Sequence, residues 1–360
     1  MDVDTVVIGA GAVGLACAAE LARRGDAVLV LERHAGFGRE TSSRNSGVVH
    51  AGIYYAPGSL AAATCVEGRA LLYARCRRDG IAHRVTGKLI VATREDELAA
   101  LEALEKRGLE NGAGALALID GAEVARREPA VRAYAALVSP ESGIVDAHGL
   151  CASYAAEARR HGAALLYRSE VVALEPIPGG WRVEARGPDG ARARLDAARV
   201  VNAAGLWADR VARLAGAELP AHRFAKGDYF TVRRVRTSAL VYPVPSEAGL
   251  GIHLTVDLGG AVRAGPDVEW VDAPRYDVDP RKAACFAEAL RRYLPDVRDE
   301  DLAPDGAGVR PKLHGPGEPR ADFLLDARDP GLVHLLGVES PGLTASEALA
   351  RRVAAHLARA

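Results

Sequence analysis

Three glycines and a carboxylate carry the first chemistry in this chain: Gly9-x-Gly11-x-x-Gly14, then Glu32, 18 residues after the last of them. Gly9 permits a tight turn, a bare Gly11 lets backbone approach a pyrophosphate, and Gly14 lets a helix pack closely on a strand. The helix N-terminus adds free N–H groups and a partial positive charge. A carboxylate at Glu32 can accept hydrogen bonds from a ribose diol. Arg33 is grouped with these ligand-binding candidates, although on a strand it points to the opposite face from Glu32 and reads as solvated. A second stretch, TSSRNSGVVHAGIYY from Thr41 to Tyr55, gathers hydroxyls, an amide, an arginine and His50 around two glycines. Such a loop offers many donors to something polar and extended.

These groups need a frame that turns sharply from strand to helix. The stretch DTVVIGAGAVGLACAAELARRGDAVLVLER supplies it, as an apolar run, the glycine turn, apolar residues at helical spacing and a second apolar run ending at the acid. With the acid in register, the pattern predicts a dinucleotide-binding βαβ unit, whereas a lone glycine motif would be weak. NAD enzymes of the doubly wound class usually continue βαβ directly after the acid. Here the chain runs into the polar loop instead, whose donors suit the ribityl chain, pyrophosphate and ring edge of a flavin. ARVVNAAGLWADRVARLAG, Ala198 to Gly216, reads as a second strand, glycine turn and helix. A charged helix is predicted from about Glu95 to Asn111, and residues 113 to 144 read as peripheral packing around the REPAV turn. A Pro-Asp-Gly between two alternating runs, 188 to 190, predicts a hairpin.

Composition excludes several classes of function. At 360 residues with 49% hydrophobic content and 38 glycines, the chain suits an α/β protein with a sizeable core. Its net charge of -1 arises from 46 basic and 47 acidic residues interspersed along the chain, so no single-sign field invites nucleic acid or an anionic membrane. Five widely spaced cysteines without a Cys-x-x-Cys predict neither a zinc site nor a disulfide framework, and no other metal site is expected. The opening residues lack a basic leader pattern, and no apolar run approaches the roughly 20 residues of a spanning helix. The expected location is the cytoplasm, with peripheral contact at the inner face of the membrane left open.

Glu32 followed by the Thr41 to Tyr55 string resembles the D-amino-acid-oxidase superfamily of FAD enzymes, and within it the L-2-hydroxyglutarate dehydrogenase-like branch. KGDYF (226 to 230), YPVP (242 to 245), GLGIHLT (249 to 255) and GPDVE (265 to 269) resemble consecutive strands of its substrate-domain sheet. AGVRP (307 to 311) and GVESPGLTAS (337 to 346) resemble the segments that face the flavin ring. The resemblance implies a Rossmann-like FAD-binding domain of the glutathione-reductase type, interleaved with an α+β substrate domain on a mostly antiparallel sheet. The expected division is 1–85, 145–216 and 303–360 for FAD binding, and 86–144 and 217–302 for substrate. FAD is expected to be held noncovalently, because no cysteine lies in a segment resembling a flavin tether. Its binding residues would be Gly9, Gly11, Gly14, Glu32, Arg33, Thr41, Ser42, Ser43, Asn45, Ser46, Gly47, Val48, Val172, Ala204, Gly205, Gly342, Leu343 and Thr344.

Such an enzyme needs a hydride path, a base for the hydroxyl proton and a cation for the substrate carboxylate. Arg310, in GVRP, resembles the family's substrate arginine and can form a bidentate pair; a buried structural salt bridge is the bland alternative. His253 is favoured as base and His50 as a flavin-side group, with the reverse left open. Tyr55, Tyr229 and Tyr242 are substrate-side candidates, ordinary core packing being the alternative. The leading reading is a dehydrogenase of a small L-2-hydroxy acid that passes electrons to a quinone or another carrier. An amino-acid or glycerol-3-phosphate oxidase of the same fold, and a flavin-binding partner protein without turnover, are the competing ones. After GVR the chain departs from the dicarboxylate-oxidising members of the branch, so contacts to a second carboxylate are not legible.

Overall fold

The computed structural model describes residues 1–245 and 251–358. The apolar run Val3–Ile8 forms a strand that pairs in parallel with Val28–Leu31 on one side and with Arg192–Asn202 on the other. Parallel neighbours need a crossover, and the helix Ala12–Arg23 provides it. Its alanines, with Leu15 and Leu21, are buried against the sheet. Ala164–Leu166 extends the parallel order beyond Val28–Leu31, and Leu332–Leu336 extends it beyond the strand ending at Asn202. Glu170–Ile177 and Gly180–Arg186 complete an antiparallel meander on the first half of Arg192–Asn202. The predicted hairpin closes there, with Gly187 N–H donating to the Ala191 carbonyl at 2.8 Å.

One apolar core lies on this sheet, beneath the helices Ala12–Arg23, Leu60–Asp79, Ala147–Arg160 and Gly342–Leu357. Leu349, Val353 and Leu357 of the closing helix are all buried in it. Full burial of each such side chain contributes roughly 1.5–3 kcal/mol. Ser59 caps the second of these helices by accepting from Ala62 N–H at 3.1 Å. The first helix carries no side-chain cap at Gly11, and no acidic residue stands in its first turn.

The second sheet has nine strands and is antiparallel except where Leu240–Pro243 runs parallel to Lys88–Ala92. Its long pair is Arg223–Val232 against Leu302–Lys312, running from Arg223 opposite Lys312 to Val232 opposite Leu302 with a register shift between Tyr229 and Phe230. The fold is thus α/β, a Rossmann-like sheet joined to a mostly antiparallel one.

Three expectations are corrected. Residues 113–144 are not peripheral packing, since Ala117–Asp120 and Ala135–Ser139 are strands of the nine-stranded sheet and the second is buried. Gly265–Glu269 is not one strand; residues 265–268 link Val262–Ala264 to Glu269–Val271, with Gly265 at φ +119° and a would-be Cβ 2.5 Å from the Asp228 carbonyl oxygen. Of the expected strand 249–255, Gly249 and Leu250 lie outside the described residues, and the strand itself is Leu254–Val256, so His253 immediately precedes it. The expected boundary at 303 assigns all but the first residue of the strand Leu302–Lys312 to FAD binding, although the strand pairs along its length with Arg223–Val232. We propose that the division falls after Lys312.

Candidate active site

The carboxyl end of the strand Val3–Ile8 opens onto a cavity of about 360 Å³. Gly9 turns there at φ +101°, and a Cβ on it would stand 2.6 Å from the Ala203 carbonyl oxygen. A Cβ on Gly14 would stand 2.0 Å from the Gly9 carbonyl oxygen, so Gly14 packs helix against turn and lines no cavity. Buried Glu32 is fixed by Ala10 N–H donating to Oε2 at 2.8 Å and His34 N–H donating to Oε1 at 2.7 Å. Each oxygen keeps a further lone pair for a ligand. Val172, Ala204 and Gly205 share these walls. At the rim, the Trp207 ring carries the guanidinium of Arg33 at 4.8 Å and that of Arg210 at 4.3 Å.

A second cavity of about 200 Å³ continues from the first, sharing Gly11, Thr41, Ser42, Ala203 and Gly205. Ser42 Oγ accepts from Ala12 N–H at 2.9 Å, which ties the polar loop to the open helix end. Asn45 lines this cavity but spends its amide on the loop: Nδ2 donates to the carbonyls of Thr41 (3.0 Å) and Ser42 (2.9 Å), and Oδ1 accepts from Gly47 N–H (2.8 Å). Ser46, Val48, Gly342, Leu343 and Thr344 also line it. Thr344 Oγ1 accepts from His50 N–H at 3.1 Å and donates to the Val48 carbonyl at 3.3 Å, joining the loop to the closing helix.

Both histidines and Arg310 face this second cavity. His50 Nε2 lies 3.0 Å from Ser340 Oγ. Its pKa is held well below the usual range, first by burial and then by Lys88, His253 and Arg320. His253 stacks on Tyr242, with ring centroids 3.8 Å apart, and its Nδ1 lies 3.1 Å from the Gly251 carbonyl oxygen. A carbonyl accepts only, so Nδ1 carries the proton and Nε2 keeps its lone pair. Burial above all, helped by Lys88 and Arg310 and opposed by the Gly251 contact, holds the His253 pKa down to about 3. The Arg310 guanidinium donates to three backbone carbonyls: Ala225 (3.3 Å), Lys226 (3.4 Å) and Asp267 (2.8 Å). No carboxylate stands within ion-pair distance of it among the described residues, so the bland alternative of a structural salt bridge is not what the geometry holds.

The joined cavities fit an elongated dinucleotide. Glu32 stands at one end, the helix terminus at Gly11, with Ser42 on its first N–H, in the middle, and a second helix terminus, at Gly342, toward the other end. A family model described as DAO, FAD dependent oxidoreductase, matches residues 4–356. The chain belongs to this family. It is 42% identical to the mitochondrial L-2-hydroxyglutarate dehydrogenase of Arabidopsis thaliana over 399 aligned positions, covering 98% of this chain and 83% of the relative. The Bos taurus enzyme of the same description is 32% identical, with 98% and 88% covered. Among solved structures, the dithionite-reduced, FAD-bound L-alpha-glycerophosphate oxidase of Mycoplasma pneumoniae superposes with a TM-score of 0.89 at 26% identity, over 99% of this chain and 94% of that one.

In this FAD-dependent oxidoreductase, the two cavities collect most of the residues singled out from sequence, but four stand elsewhere. Ser43 is exposed, its hydroxyl donating to the Glu40 carbonyl at 3.1 Å. Gly14 packs, as described above. Gly47 turns the loop at φ +63°, where a Cβ would meet the Val145 carbonyl oxygen at 2.8 Å. Tyr55 is core, buried beneath the Arg320 guanidinium at 5.2 Å, whereas Tyr229 and Tyr242 do line the second cavity. The sequence reading missed Trp207, Arg210, Arg44, Ser340 and Glu339, all of which line a cavity. Arg44 belongs to the Thr41 to Tyr55 loop, Trp207 and Arg210 to 198–216, and Glu339 and Ser340 to 337–346, so their residue types were the available signal. Among the described residues, no helix is long and apolar enough to cross a membrane.

Proposed function

We propose that this flavoenzyme oxidises a small L-2-hydroxy acid to the 2-oxo acid, with L-2-hydroxyglutarate the first candidate, and passes the electrons to a quinone or another carrier. The observation that carries the reading is Arg310, a guanidinium pinned by three carbonyls and, among the described residues, left without an acid, in the same cavity as an imidazole with a free Nε2. The names of the relatives at 42% and 32% identity point to the same substrate class. We assign the work to the cytoplasm and leave peripheral contact at the inner membrane face open.

FAD, when bound, supplies the acceptor for the substrate hydride. Gly9, Gly11 and Glu32 hold its adenosine and pyrophosphate half, and the loop from Thr41 holds the remainder, without a covalent bond. Neither cavity is lined by a cysteine among the described residues. Arg310 fixes the substrate carboxylate, and His253 Nε2 takes the hydroxyl proton. Tyr229 and Tyr242 bound the space in which the substrate sits.

Two results follow. Glu32→Gln keeps the shape but loses a charge-assisted acceptor worth roughly 1.5–3 kcal/mol. FAD affinity, measured by equilibrium dialysis, falls at least about tenfold; flavin retained at the wild-type level would tell against the assignment. The second concerns pH. A base held down to about 3 is unprotonated throughout the neutral range, so the rate of anaerobic flavin reduction is flat from about pH 8 down to about pH 5. A protonation step near pH 6.5 in stopped-flow data would contradict this. The same depression destabilises the fold in acid. The unfolded chain, with ordinary imidazoles, binds more protons below pH 6.5, so stability is lost as pH falls through that value.

The reading itself is tested by offering the yellow protein L-2-hydroxy acids, amino acids and glycerol-3-phosphate without oxygen. Bleaching by a 2-hydroxy acid supports it, and bleaching by one of the others alone transfers the site to that substrate.

A further inference from the structure

Lys88 is a buried ammonium group. It begins the strand Lys88–Ala92 at the centre of the nine-stranded sheet, between Leu240–Pro243 and Ala135–Ser139, and is only 1% exposed. Buried ammonium groups are ordinarily paired, and the other buried lysine, Lys226, has Asp228 at 2.7 Å. No carboxylate stands within ion-pair distance of Lys88 among the described residues, and its neighbours are aromatic. Its Nζ lies 3.9 Å over the Tyr242 ring and 5.3 Å over the Tyr54 ring.

The Tyr242 ring also carries His253, near-parallel at 16° and 3.8 Å between centroids. Two non-bonded groups cannot occupy the same place nearly 4 Å above one face, so Lys88 and His253 hold opposite faces of the ring. A face of Tyr attracts a cation, which explains how the ammonium stays on its side without an acid. We propose that Lys88 is a positioning residue for the oxidation step, its ammonium on one face of the Tyr242 ring helping to hold the His253 ring, stacked on the other face, ready to accept a proton.

The groups around the pair agree with this. His253 faces Lys88 and Arg310, and His50 faces Lys88, His253 and Arg320, all cationic or neutral. Glu339, a carboxylate that lines the same cavity, is committed to Lys312 Nζ at 2.7 Å. Lys88 itself faces the phenols of Tyr54 and Tyr242 and the thiol of Cys65, none of which carries a charge at neutral pH. Burial lowers the Lys88 pKa to about 7, just above that of an ordinary imidazole. As pH falls, Lys88 therefore becomes charged before either histidine would, and its charge then opposes theirs. With Lys88 Nζ 3.9 Å and the His253 ring 3.8 Å from the Tyr242 ring centre on opposite sides, that repulsion acts across the ring in a buried interior.

The proposal rests on one of these histidines being the base, but its test needs no substrate, so a chain that oxidises something else leaves the result readable. In FAD-bound protein carrying ¹³C-labelled histidine, the His50 and His253 signals are assigned by their disappearance in His50→Asn and His253→Asn proteins. Neither is expected to titrate between about pH 5 and about pH 8 in the wild type. In Lys88→Met, at least one should titrate within that window, which for His253 means a proton affinity raised at least about a hundredfold. Lys88→Arg, which keeps the charge, should leave both silent. If Lys88→Met yields no FAD-bound protein, Lys88→Gln, which keeps a polar end and similar length, is read in the same way. Silence of both histidines in the neutral variants, or the same titration in Lys88→Arg as in Lys88→Met, overturns the proposal.

Discussion

His253→Gln protein is expected to bind substrate with nearly normal affinity and to reduce its flavin about 10²- to 10⁴-fold more slowly than the wild type, the usual contribution of a positioned base. The expectation comes from the proton inventory of the two histidines. His253 donates through Nδ1 to the Gly251 carbonyl and keeps Nε2 free on the cavity side of its stack with Tyr242. His50 has its Nε2 engaged with Ser340 Oγ at 3.0 Å and its backbone N–H with Thr344, so it is tied to the N-terminus of the closing helix. His50→Gln should therefore shift the flavin spectrum or loosen FAD while slowing reduction by less than about tenfold. Stopped-flow traces under saturating substrate separate the two. Normal reduction in His253→Gln together with a stall in His50→Gln would reverse the roles.

Arg310→Lys is expected to raise the substrate concentration for half-maximal flavin reduction by about 10- to 150-fold, the equivalent of losing a charge-assisted hydrogen bond of roughly 1.5–3 kcal/mol. The limiting rate at saturation should change much less. Arginine here is held flat by carbonyls from both the Arg223–Val232 strand and Asp267, and Gly227 helps to seat it: a Cβ there would stand 3.0 Å from Arg310 Nη2. A lysine ammonium keeps the charge but has neither the planar fork nor enough donors for three carbonyls and a carboxylate together. A large fall in limiting rate with unchanged half-saturation would mean that Arg310 serves the chemistry and not the binding.

The nucleotide half of the site was legible because its physics is local. Gly9, Gly11, Gly14 and Glu32 do their work within one strand, one turn and one helix, and the spacing of glycines encodes that geometry directly. The long pairing of Leu302–Lys312 with Arg223–Val232 joins residues about 80 apart, and nothing within either segment states which sheet it enters. The strands at 117–120 and 135–139 were misread for the same reason. They are short, and their neighbours on the sheet lie far away in sequence or across a helix. Lys88 shows the limit most clearly. A lysine at the start of an apolar strand reads as an exposed end, and it is buried only because the rings of Tyr54 and Tyr242 close over it. Tyr55 erred in the opposite direction: adjacent to Tyr54 in a loop, it turns into the core formed by the four helices.

The central claim is that Arg310 and His253 present a hydroxy acid to FAD, and anaerobic titration of the purified yellow protein with L-2-hydroxyglutarate tests it most directly. Bleaching of the flavin band is expected with about one equivalent of the L enantiomer, and not with the D enantiomer, with an amino acid or with glycerol-3-phosphate. A flavin that stays oxidised with every 2-hydroxy acid offered, yet is bleached by an amino acid or by glycerol-3-phosphate, would contradict the account.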